Sequence, residues 1–240
     1  MGTLTFVGTG EAFDPDLPNT SLLWRGSRTL LLDCGYRVPH ALWALSRDPD
    51  LLDGVWVSHT HADHTFGLPA LLLWMRLQGR TRPLTVLGGP GVDRWLTRLC
   101  NLAYPGMRTK STFPIEALPV SPRHPTQWGP MRLDTARTLH PVRNLAVCVT
   151  DGARVAYSGD GAPTPASERL VAGVDLLVHE AFWLDAPNKG HAAVSQVVAL
   201  AGRAGVGRLA LVHVAKELRA QAAAAAPGAL VPAPGDSVEV

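Results

Sequence analysis

The chain has 240 residues, of which 46% are hydrophobic and 18% charged, enough for a sizeable core and typical of a globular protein. Its net charge of +2 lacks the strong basic excess of a protein that grips a nucleic-acid backbone, and its many Arg are scattered rather than clustered in sequence. No apolar run reaches the ~20 residues of a membrane span. The N-terminus has no positively charged leader, so a cytoplasmic protein is expected, built as a single domain over 1–240.

In chain order, apolar β-rich runs cover 3–8 and 21–33, with Gly26-Ser27 as a hairpin turn in the second. Between them lies a Gly/Pro-bearing loop from Gly8 to Pro15; no helix follows it, so Gly8 and Gly10 are not a dinucleotide fingerprint. A helix is predicted over 36–47, a strand over 54–58, and a buried helix over 67–78 with Pro69 in its first turn. A strand at 84–87 and a helix over 91–103 follow. The Pro-rich stretch 105–130 reads as irregular, with one strand near 113–120, and as a lid or a dimer contact. A strand from Met131 to Leu139 comes next. Leu145–Val149 and Arg154–Ser158 form a hairpin across Asp151-Gly152. A helix near 165–172, a strand at 174–178, a helix at 192–204, a strand at 208–212, an Ala-rich helix at 216–226 and a short closing strand complete the chain. Cys34, Cys100 and Cys148 form no CxxC pair and read as small buried hydrophobes.

The densest chemistry is His59-Thr60-His61-Ala62-Asp63-His64, on a loop between the 54–58 strand and a helix expected to start after Asp63. These are nitrogen and oxygen donors of the kind zinc accepts. Four donors in six residues are more than one zinc ordinarily takes from one loop, which suggests two metals. A second pattern supports this. Five apolar strands run into a possible ligand: His59, His140, Asp160, His179 and His213. Neighbouring strands that end this way would converge on one edge of a sheet. His179 reads as structural rather than ligating, and His40 and His124 as ordinary.

HxHxDH, followed by a lone His, an Asp and a last His, resembles the metallo-β-lactamase superfamily over nearly the whole chain. The resemblance implies an α/β fold, the four-layer αββα sandwich of two mixed sheets flanked by helices. It implies His59, His61 and His140 as ligands of a first metal, Asp63, His64 and His213 as ligands of a second, and Asp160 as the bridge. The metals would be two Zn2+, with Mn2+ or Fe also accepted by such a donor set. Asp rather than Cys at 160 is unlike the antibiotic-hydrolysing members. The His179-Glu180-Ala181 and Gly190-His191 segments, the latter preceded by Lys189, resemble ribonuclease Z motifs. They imply Glu180 and His191 as a relay beside the leaving group; Asp63, besides ligating a metal, is expected to orient or deprotonate the attacking water, which makes it the third catalytic candidate.

Ribonuclease Z members that process tRNA carry a long basic arm between the third His and the bridging Asp. Only 19 residues separate His140 from Asp160 here. Nucleic acid is therefore the less favoured substrate, and a small or cyclic phosphodiester the more favoured. Cyclic-phosphate enzymes of this group can carry an extra Cys-bearing zinc, for which this chain has no ligands. Alternatives are a ribonuclease Z-like tRNA 3′-processing endonuclease, or an aryl sulfatase or lactonase on the same site. A homodimer is expected by analogy with relatives. Phe13, Asn19, Thr20, Phe66, Arg143 and Trp183 are candidates for the substrate pocket, Trp183 offering either a stacking surface or simple packing.

Overall fold

A computed structural model describes residues 2–185 and 190–240. Lys189, quoted above with the Gly190-His191 segment, lies outside the described residues.

One sheet takes the strands β1 (Thr3–Gly8), β2 (Ser21–Arg25), β3 (Thr29–Leu32), β4 (Gly54–Val57), β5 (Leu84–Gly88) and β6 (Ile115–Pro119). The second takes β7 (Thr126–Trp128), β8 (Met131–Arg137), β9 (Leu145–Asp151), β10 (Ala153–Tyr157), β11 (Leu176–Glu180) and β12 (Arg208–Val212), after which β13 (Ser237–Glu239) returns to pair with β1. The orders are β13-β1-β2-β3-β4-β5-β6 and β12-β11-β10-β9-β8-β7.

The strands read as unbroken apolar runs because both faces of each sheet are covered. Leu22, Trp24, Leu30, Leu32 and Trp56 face inward and meet Met131, Leu133, Val147, Tyr157 and Val178 of the other sheet. Their neighbours Leu23, Leu31 and Val55 point outward, onto α1 (Val38–Leu45), α3 (Leu68–Leu77) and α4 (Val92–Ala103), with the short α2 (Ala62–Thr65) just before α3. The outer face of the second sheet is covered by α5 (Pro165–Leu170), α6 (Val194–Ala204) and α7 (Arg219–Ala225). This is the expected αββα sandwich.

Strands β3 to β6 run parallel, as do β10 to β12. Parallel strands need crossovers, so their C-terminal ends gather at one end of the sandwich. That is where the ligand candidates sit. They do not line one edge of one sheet, as the strand pattern suggested. His59 follows β4 of the first sheet, and His140, Asp160 and His213 follow strands of the second, so the site spans both. Three details of the reading change. The helix at the motif begins at Ala62, with His61 as its N-cap, so Asp63 lies inside it. Strand β11 runs to Glu180, two residues further than expected, because it pairs along its whole length with β12. The 105–130 stretch contains the extra strand β7, paired with β8, and is tied down by Arg108, which donates to Asp93 Oδ1 at 2.9 Å and to the Ile115 carbonyl at 3.0 Å.

Candidate metal centre

The tight loop after β4 is pinned in part by backbone hydrogen bonds. Cys34 N–H donates to the His64 carbonyl and Gly67 N–H to the Cys34 carbonyl, at 2.8 and 2.9 Å. The chain passes so close here that a Cβ on Gly35 would sit 1.8 Å from the Asp63 carbonyl oxygen. On the opposite side, Gly161 follows Asp160 with φ +108°, and a Cβ there would reach within 2.6 Å of Thr138 Oγ1. Only glycine satisfies both demands.

The fold brings all seven candidate ligands together. His59, His61, His140 and Asp160 present donor atoms that all lie within 4.8 Å of one another, and so do Asp63, His64, Asp160 and His213. Asp160 belongs to both groups. His64 Nε2 lies 3.2 Å from Asp63 Oδ2 and 3.2 Å from Asp160 Oδ1, while His213 Nε2 lies 3.4 Å from Asp63 Oδ2. His140 Nε2 stands 3.3 Å from His61 Nδ1. His59 Nε2, His64 Nε2 and Asp160 Oδ1 are buried with no hydrogen-bond partner among the described residues, all facing this space.

Asp33, which the sequence reading passed over, lies directly behind the motif. Its carboxylate accepts from Ser58 N–H at 2.8 Å, Ser58 Oγ at 2.6 Å and Tyr157 OH at 2.9 Å, and contacts His64 Nδ1 at 2.7 Å. Fixing one ring nitrogen in this way aims the other. Asp33 and His213 are the two non-glycine residues with positive φ among the described residues, at 63° and 54°. Such strain persists where surrounding contacts over-determine it, and it gathers at functional sites.

Charge tests whether a metal fits. Asp33, Asp63 and Asp160 are all buried, and among the described residues their ion-pair partners are histidines, with no Lys or Arg. Buried carboxylates need a cation. Burial works against the charged form of Asp160, yet the nearby His213 and His64 rings hold its carboxyl well below the usual range. Burial also disfavours the His213 imidazolium, but Asp160 and Asp63 push its pKa up to about 9. His59 is held well below the ordinary imidazole value, first by burial and then by His64. The donor set therefore fits divalent metal.

Beside this cluster stands the second pair. Glu180 is fully buried, and its Oε1 accepts from Gly161 N–H at 2.8 Å and Ala192 N–H at 3.0 Å, with His191 Nδ1 at 3.2 Å. Burial lowers the His191 pKa, but Glu180 outweighs it and raises the value above normal. The His191 ring stacks on His213 with centroids 5.5 Å apart. His179, its neighbour in β11, points to the other face, as alternation along a strand requires, and contacts the Glu180 carbonyl at 2.7 Å.

Of the pocket candidates, Arg143 lines a cavity of about 340 Å³ that abuts His59. Asn19 and Thr20 are buried and spent on loop hydrogen bonds to the Arg37 amide and the Gly10 carbonyl. Phe13 and Phe66 are exposed, and Trp183 packs edge-on against Phe182.

A protein-family model described as "Anti-Pycsar protein Apyc1" matches residues 2–231. The chain is 31% identical to ribonuclease BN from Escherichia coli O1:K1 over 253 residues, covering 82% of this chain and 80% of that protein. Among solved structures it is similar to the metallo-β-lactamase fold protein YhfI of Bacillus subtilis, with TM-score 0.83, 24% identity, and 100% and 99% of the two chains covered. It is also similar to the short form of human tRNase Z, ELAC1, with TM-score 0.81, 21% identity, and 99% and 98% covered.

Proposed function

The chain belongs to the anti-Pycsar protein Apyc1 family, a ribonuclease Z-like branch of the metallo-β-lactamase superfamily, and on that premise we propose that it hydrolyses a small or cyclic phosphodiester at a two-metal centre. The observation that carries this reading is the position of Asp160 in both donor groups, with the Glu180–His191 pair beside them. His59, His61 and His140 would hold one ion, Asp63, His64 and His213 the other, and Asp160 would bridge. When bound, two divalent ions supply an activated water near neutral pH and positive charge for the phosphoryl oxygens.

The chain's own residues supply the remaining chemistry. Asp63, its Oδ2 between His64 and His213, orients the attacking water. His191 keeps Nδ1 on Glu180, which leaves Nε2 to give a proton to the departing oxygen. The raised pKa of His191 suits that role near neutral pH.

The size of the substrate follows from what lies between His140 and Asp160. The interval is filled by the β9–β10 hairpin, closed over Gly152, with no arm to hold a tRNA. The likeness to ribonuclease BN, and in fold to tRNase Z, supports a second reading, ribonuclease Z-like cleavage of tRNA.

The test is hydrolysis of bis(p-nitrophenyl) phosphate by zinc-loaded protein, followed by cyclic nucleotides, glycerol cyclic phosphate and a precursor tRNA. Turnover of the small diesters, lost in Asp160→Ala, supports the proposal. Cleavage of precursor tRNA with no small-diester turnover moves the function to the second reading. Inactivity on all of these, in protein holding its metal, moves it to sulfate esters or lactones.

A further inference from the structure

The pairing of β7 with β8 stops at Leu133, so the last residues of β8, Thr135 to Arg137, have no strand on that side. The unfilled end of the sheet edge is a groove of about 470 Å³. Its walls are the stretch 121–125 that leads into β7 and the flank of α5 that carries Arg169. Arg123, His124, Arg137 and Arg169 line it, are exposed, and make no side-chain hydrogen bond or ion pair among the described residues. The neighbouring acids are already occupied. Arg132 holds both oxygens of Asp134, at 2.9 and 3.0 Å, and Arg203 holds both of Glu168, at 3.0 and 3.1 Å. Thr135 also lines the groove, and its hydroxyl is buried with no hydrogen-bond partner among the described residues. Arginines that are scattered in the sequence are thus gathered by the fold around one hollow, without an uncommitted counter-charge.

We propose that this groove is a second anion site, separate from the metal centre, that takes the phosphate groups of a small phosphorylated molecule. The fixed fork of a guanidinium matches phosphate oxygens, and three such forks around one hollow offer more donors than a single surface Arg. The Thr135 hydroxyl is a further unspent donor beside them. The volume lies in the range of small-ligand pockets, about 300 to 1,000 Å³. A nucleic-acid backbone is gripped instead by cations that track it over several phosphates. The groove also backs onto the segments that carry two of the proposed metal ligands. Thr164 Oγ1 donates to the Arg137 carbonyl at 2.7 Å, and Leu139 and Ala162 bridge by backbone hydrogen bonds, one residue before His140 and two after Asp160.

The test is a titration of isotope-labelled, metal-loaded protein with inorganic phosphate, read by amide chemical shifts, which separate the groove from the metal centre residue by residue. Saturable shifts at Arg123, His124, Thr135, Arg137 and Arg169 are the expected result. Arg137→Ala and Arg169→Ala, both surface changes, should each weaken the groove's affinity about tenfold, the scale of one charge-assisted hydrogen bond, and leave the metal content unchanged. Arg137→Lys, which keeps the charge but not the fork, should lose less. Groove amides that stay still at millimolar phosphate overturn the site, as do groove shifts that survive both alanine variants. A short oligouridylate that saturates the groove where phosphate does not would also overturn it, in favour of a nucleic-acid contact. None of these readouts depends on turnover, so the groove and the proposed reaction fail separately.

Discussion

Asp33 Oδ2 lies 2.7 Å from Nδ1 of His64, on the far side of the ring from Asp160, whose Oδ1 is 3.2 Å from Nε2. One imidazole is thus held between a carboxylate that orients it and the carboxylate proposed to share its metal. The arrangement is assembled by the parallel pairing of β3 with β4, which sets Asp33 beside Ser58. Asp33→Asn keeps the volume and an acceptor for the Ser58 amide but loses the charge behind His64. Metal affinity should fall about 10–100-fold, the usual cost of losing such a support. Competition with a chromophoric chelator measures it; an unchanged affinity would mean that Asp33 serves folding alone.

His191 is held by Glu180 and stacks on His213, with its side chain 28% exposed. His191→Ala should leave metal content intact and lower turnover most for poor leaving groups, since good ones need no proton. A series of aryl esters of rising leaving-group pKa reads this directly. Equal losses along the series would argue against proton donation by His191.

Among the described residues the ion-pair partners of the buried carboxylates at the centre are all histidines, so the fold should depend on its cations. Removing metal with a chelator should lower Tm, and adding zinc at about 100 times its Kd should restore about 2.7 kcal/mol. That corresponds to roughly 5–11 °C for a chain of this size. A Tm indifferent to chelation and to added metal would mean that the centre is stable without a cation.

Arg80 stabilises the scaffold well away from the site. It is buried and donates to the carbonyls of Pro49, Leu52, Pro83 and Arg82 at 2.7, 2.8, 2.8 and 2.9 Å, tying together the loops that enter β4 and β5. Arg80→Met strips these acceptors of their donor, at a cost of at least about 3 kcal/mol. Thermal unfolding should show a drop of roughly 6–12 °C, while the protein folded at low temperature keeps its metal content.

How much of this the sequence showed can be seen residue by residue. His59, His61, Asp63 and His64 are readable because the motif is local, and His140, Asp160 and His213 because each follows an apolar run. Asp33 also follows an apolar run, Leu30-Leu31-Leu32, and was passed over. An acid after a strand is common, and only the long-range pairing of β3 with β4 brings this one to His64. Glu180 and His191 came from a resemblance, and the structure adds the physical link between them, since β11 extends to Glu180 and places its carboxylate under the Ala192 amide. The β7 strand escaped notice because three residues between prolines carry no periodic signal. The cavity beside His59 could not be read from sequence, because its walls come from three separate stretches, 57–60, 88–95 and 142–145, that meet only in the sandwich.

The central claim is a two-metal centre bridged by Asp160. Metal content per chain, measured by elemental analysis on dialysed wild type and Asp160→Ala, tests it most directly. The account predicts about two divalent ions per wild-type chain, and loss of both with the activity in the variant, since neither donor group is complete without the shared carboxylate. A variant that keeps both ions and full turnover would contradict it.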